Sequence, residues 1–79
     1  MNEDLETQAR HFERIAAELE RAREHARTAA AHFRRGEVPP GCAHALAMEG
    51  HLLQVRDDYA AAARLHATKA EPLPEDQLA

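Results

Sequence analysis

The chain has 79 residues, 44% apolar and 30% charged, with 14 acids against 10 bases for a formal charge of −4. That length bounds it to one small domain, and that balance excludes both a disordered polyelectrolyte and a membrane-embedded protein. No basic stripe exists to follow a phosphate backbone, which disfavours nucleic acid as a partner, and no apolar run nears the ~18 residues that a bilayer span requires. Eighteen alanines and only three aromatic residues, Phe12, Phe33 and Tyr59, imply slender helices and a modest core. Such a core rarely contributes more than about 3–5 kcal/mol. The single cysteine, Cys42, rules out an internal disulfide, so oligomerisation or a metal is the expected supplement. A lone cysteine and an acidic N-terminus without an apolar leader give the expectation of a cytoplasmic protein.

The first predicted element is a helix over residues 3–35. Leu5, Phe12, Leu19, Ala26 and Phe33 recur every seventh residue, and Gln8, Ile15, Ala22 and Ala29 complete a 3-4 alternation. This is the pattern of a coiled-coil seam, with the first row at position a and the second at d. Small residues at e, including Ala9 and Ala16, widen the apolar stripe. Acids open this helix and arginines close it, as its dipole favours.

Gly36 is the expected helix stop. The residues before Pro39 and Pro40 disfavour helical geometry, so residues 36–41 are predicted to form a stiff turn between antiparallel neighbours. A second helix is predicted over residues 42–69, with Ala45, Leu52, Tyr59 and His66 at a, and Met48, Val55, Ala62 and Lys69 at d. It carries a further stripe at b: Leu46, Leu53, Ala60 and Ala67. Two stripes on one helix call for two packing partners. Residues 70–79 lack periodicity, hold three acids and two prolines, and read as a flexible acidic tail. The expected fold is therefore all-α: residues 3–69 form an antiparallel hairpin that dimerises into a four-helix bundle. Leu46, Leu53, Ala60, Ala67, Ala9 and Ala16 are the expected oligomer interface.

Six histidines form an ordered set. His11, His25 and His32 share position g of the first helix with Asp4 and Glu18, and His44 and His51 share position g of the second with Asp58. Folding the chain about residues 38–39 puts His32 level with His44 or Ala45, His25 with His51 or Leu52, Glu18 with Asp58 or Tyr59, and His11 with His66 or Leu65, which sets His beside His and acid beside acid. Such a ladder has three uses: a solvated flank of the core, a transition-metal or haem site with ligands among His25, His51, His32, His44 and Glu18, or a protonation-sensitive contact. No His-x-x-x-His or Glu-x-x-His chelate is present, and the absence of Cys-x-x-Cys-His excludes covalent haem.

No catalytic residue is assigned. Cys42 and His44 are two apart and point in different directions on a helix, and there is no Gly-rich phosphate loop. The Arg27-x4-His32 spacing resembles the signature of HEPN ribonucleases. That resemblance implies a helical, dimeric RNA-cleaving protein in which His32 is essential, although this chain lacks the later helices of that fold. The expected function is that of a small homo-oligomeric interaction or assembly module, with metal or haem binding as the alternative and RNA cleavage as a remote one.

Overall fold

The computed structural model describes residues 2–78, and it is an all-helical hairpin. Helix α1 spans Asn2–Arg34, helix α2 spans Val38–Lys69, and the two pack against each other along their lengths. A short 3-10 turn, Glu75–Gln77, follows Pro74 in the exposed C-terminal segment.

The end of α1 follows from Gly36, whose φ of 74° lies in the left-handed region. Gly36 N–H donates to Phe33 O at 3.0 Å, and Glu37 N–H reaches back to His32 O at 2.9 Å. These two bonds are a Schellman closure, which satisfies carbonyls that a helix end leaves bare. A side chain at Gly36 would strain that conformation, because L-residues pay roughly 1–2 kcal/mol there. Gly36→Ala is expected to lower the midpoint of urea unfolding by an equivalent of about 1 kcal/mol, read by far-UV circular dichroism.

The turn is shorter than the expected 36–41. Pro39, Pro40 and Gly41 belong to the first turn of α2, with Glu37 as its N-cap. The first amide hydrogens of a helix have no intrahelical acceptor, so proline loses nothing there and its fixed φ suits the helix. That local gain overrides the bias against helix in residues preceding proline. Gly41 N–H then makes the first helical bond, to Glu37 O at 3.2 Å. Gly41 is buried, and a Cβ there would lie 2.7 Å from the Phe33 ring, so the missing side chain makes room for that ring.

The shorter turn moves the centre of folding from residues 38–39 back to about Gly36. It also changes which rows meet. The inward-facing positions of α1 are Asp4, Gln8, His11, Ile15, Glu18, Ala22, His25, Ala29 and His32, and those of α2 are Gly41, His44, Met48, His51, Val55, Asp58, Ala62 and Leu65. In heptad terms the seam consists of d and g, not the expected a and d. Among the described residues the buried hydrophobic ones are Ala22, Ala29 and Ala62. These alanines, with Gly41, hold the helices at close approach, where the large a-row side chains have no space. Imidazoles and carboxylates of the g rows close the gap instead.

The a rows of both helices then fall on one side of the hairpin. Leu5, Phe12, Leu19, Phe33, Leu52 and Tyr59 remain 42–63% exposed. The Cα trace is only 13 Å through its thinnest dimension, a single layer of helices. Its radius of gyration is 18.9 Å, against ~11.6 Å for a compact chain of this length.

Candidate functional site

Two features stand out: a polar seam inside the hairpin and an apolar face on one side of it. The seam is an alternating zipper rather than a ladder of level rungs. Starting at the turn, His32 stacks on His44 (ring centroids 5.6 Å apart, planes at 15°). His44 meets His25 with ring centroids 5.2 Å apart, and their Nδ1 atoms lie 3.0 Å apart. His25 stacks on His51 at 5.3 Å and 17°. His51 Nδ1 donates to Glu18 Oε2 at 2.6 Å. His44, His25 and His51 thus each lie between two groups of the other helix.

The expected neighbours His32–His44 and His25–His51 are together. The expected Glu18–Asp58 and His11–Leu65/His66 levels are not. Glu18 pairs with His51 and accepts Arg21 Nη1 at 3.0 Å. Asp58 accepts Arg14 Nε at 3.1 Å and lies 3.5 Å from His11 Nδ1, which itself accepts from Arg14 Nη2 at 2.9 Å. The half-heptad offset comes from the shortened turn, and it has an electrostatic consequence. Each carboxylate meets a cation or an imidazole rather than another carboxylate, so like-charge repulsion is avoided.

The four imidazoles His32, His44, His25 and His51 are half-buried. A carboxylate stands at each end of the column: His51 Nδ1 donates to Glu18 Oε2, while His32 Nδ1 lies 3.0 Å from Glu37 Oε1 and 3.3 Å from Arg35 Nη2. The bond to Glu18 leaves Nε2 of His51 as the lone-pair atom when that ring is neutral. Between His25 and His44, one Nδ1 carries hydrogen and the other accepts. Among the described residues no three His, Cys, Asp or Glu side chains gather closely enough to hold a metal ion. The five expected ligands therefore lie along one column instead of around one centre. Cys42 is exposed and adds nothing to it.

Two carboxyls, Asp4 and Glu37, are perturbed. The Lys69 ammonium, 2.7 Å from Asp4 Oδ2, holds the Asp4 carboxyl below its ordinary range, by hydrogen bonding first and charge second. Arg35 Nε, 2.7 Å from Glu37 Oε1, does the same for Glu37, with His32 the next contributor. A depressed folded-state value means that each pair stabilises the hairpin above the unfolded carboxyl pKa and loses that contribution as pH falls through the folded value. Lys69→Ala is expected to move the Asp4 titration upward, as followed by carboxyl carbon-13 chemical shift, and high salt is expected to reproduce part of that movement.

The apolar face carries a groove of about 330 Å³ near the open end of the hairpin, lined by Gln8, Phe12, Tyr59, Ala62, Ala63 and His66. Residues from the a rows of both helices thus share one depression. Gln8 Nε2 donates to Ala62 O at 3.0 Å across the seam, while its buried Oε1 has no hydrogen-bond partner among the described residues. The expected interface residues lie elsewhere: Leu46 and Leu53 point outward on α2 (72% and 44% exposed), Ala9 and Ala16 are exposed on α1, and Ala67 is exposed while Ala60 is half-buried on α2. The exposed a row, which the periodicity assigned to the hairpin interior, is the larger unpartnered surface.

Arg27 is exposed and His32 is engaged with Glu37. Positions five apart do not share a helix face, so the RNase-like spacing brings no Arg–His pair together. No helix among the described residues is long and apolar enough to cross a membrane. No protein-family model, curated protein or solved structure matches the chain.

Proposed function

We propose that the protein is a homo-oligomeric assembly module, in which two hairpins bury their a-row faces against each other as an antiparallel four-helix bundle. The carrying observation is the row of large apolar side chains, Leu5, Phe12, Leu19, Phe33, Leu52 and Tyr59, exposed on one face of a single-layer fold. A helical layer with one apolar face reaches stability by burying that face under a second layer. Surface area supports the same reading. The chain exposes 6284 Å², whereas a compact monomer of 8.8 kDa exposes ~4,800 Å². Part of the excess of ~1,500 Å² belongs to the extended C-terminal segment, and a stable interface covers ~800 Å² or more per partner. A second copy fits the charge pattern as well, because the a rows carry no acid or base besides His66. Native mass spectrometry at micromolar concentration is expected to show twice the 8.8 kDa chain mass. A folded species of single-chain mass under those conditions would overturn the reading.

A further inference from the structure

We propose that the His25–His44 bridge is a pH-sensitive clasp, which holds the two helices together at neutral pH and releases them as the pH falls towards about 5. The Nδ1 atoms lie 3.0 Å apart and the ring centroids 5.2 Å apart, so the rings meet head-on in an N–H···N hydrogen bond. Such a bond needs one bare nitrogen. In the neutral pair the donor ring carries its hydrogen on Nδ1 and the acceptor ring carries its own on Nε2. A first added proton goes to Nε2 of the donor ring and leaves the bond in place. A second has only Nδ1 of the acceptor ring to occupy. It breaks the bond and sets two N–H groups against each other across the same 3.0 Å. The closed bridge thus holds one added proton, whereas the same two rings in an unfolded chain hold two. Imidazole side chains in water take up protons near pH ~6.5. Below that value unfolding draws in one more proton, so acid favours the open chain.

Neither helix offers the bridge an anion. His51 stacks on His25 at 5.3 Å and His32 stacks on His44 at 5.6 Å, so charge on these neighbours adds repulsion from both sides. The carboxylates along the column are Glu18, at His51, and Glu37, beside His32. Each is already engaged by an arginine, Arg21 Nη1 at 3.0 Å from Glu18 Oε1 and Arg35 Nε at 2.7 Å from Glu37 Oε1. Farther along the seam, Asp58 is shared by Arg14 and His11. Among the described residues no carboxylate lies within ion-pair distance of His25 or His44. The outer imidazoles therefore have an acid to receive their charge and the inner two do not. A seam of imidazoles also has a simpler use, since polar contacts at helix interfaces fix register. That use requires no pH dependence, and the experiment separates the two.

The test is urea unfolding of the full-length protein at a series of pH values between about 7.5 and 5, followed by far-UV circular dichroism, beside the double variant His25→Leu/His44→Leu. Replacing both partners of a buried polar pair by apolar groups is close to neutral, so this variant keeps the hairpin. Below about pH 6.5 the unfolding constant of the natural chain is expected to rise more steeply than that of the double variant, by about tenfold per pH unit, the effect of one proton. His44→Gln is the second variant. Its side-chain carbonyl accepts from His25 Nδ1 and has no site for a proton, so it is expected to lose the steep dependence too. His66→Ala, at an exposed position outside the column, is expected to keep it. Histidine proton NMR of the natural chain gives a readout without substitution. The His25 and His44 ring signals are expected to titrate in separate steps, the later one coinciding with unfolding. Equal pH dependence in the natural chain and both variants, or two rings that charge together in a closed hairpin, overturns the proposal and leaves the register role. The comparison is made at one protein concentration, and the one-proton difference per chain is the same for monomer and dimer, so a failed dimer and a failed clasp are distinguishable.

Discussion

Phe12→Glu and Tyr59→Glu are each expected to raise the dissociation constant of the proposed dimer by about 30-fold or more, since buried aromatic anchors at an interface carry at least ~2 kcal/mol of binding. Sedimentation equilibrium reads this as a fall from twice the chain mass towards 8.8 kDa. The reason is positional. Both residues line one groove of the apolar face, and burying a carboxylate there without a partner is far costlier than leaving a ring exposed. Leu53→Glu is the contrasting variant. Leu53 lies on the outer row of α2, so dissociation by Leu53→Glu alone would move the interface to the row with Leu46, Ala60 and Ala67. Retained dimerisation in both Phe12→Glu and Tyr59→Glu would remove the a-row face from the interface. A natural dimer also melts at a temperature that rises with protein concentration, and the variants are expected to lose that dependence.

The second large effect concerns close approach of the helices. Ala62 is 3% exposed and Ala22 is 5% exposed. Leucine at either position adds three carbons where the helices touch, and overpacking of this kind costs about 1–3 kcal/mol. For a domain of this size that corresponds to a fall in melting temperature of about 4–8 °C per kcal/mol. Ala17→Leu, on the exposed side of α1, is expected to stay within about 0.5 kcal/mol of the natural chain. Equal melting temperatures for Ala62→Leu and Ala17→Leu would mean that the alanines do not set the interhelical distance. At Ala62 the added bulk also bears on Gln8, whose side-chain amide donates to the Ala62 carbonyl, so Ala62→Leu is expected to exceed Ala22→Leu.

Much of the hairpin was legible in local chemistry. Seven-residue recurrence from Leu5 to Phe33, arginines near the end of α1 and a glycine at its stop specify one long helix with a definite end, and Gly36 adopts the left-handed conformation that the stop requires. The residues before Pro39 and Pro40 favour a turn, yet proline is compatible with both a turn and the first turn of a helix. The choice depends on whether the following residues continue helically, and they do. A shift of a few residues at that point moves the register by half a heptad, which re-pairs Glu18 with His51 and Asp58 with His11.

Helix existence, helix ends and the shared row of the histidines follow from near neighbours along the chain, because capping, periodicity and backbone preference act within a turn or two. Which rows face each other does not. Position d is common to both seams, and the two are separated by a modest rotation of each helix about its axis. Hydrophobicity alone selects a with d. Packing distance selects d with g, because alanine and glycine draw the axes closer than phenylalanine, leucine or tyrosine between them would allow. The bulky row is thereby left on a common face, and the imidazoles become the seam itself.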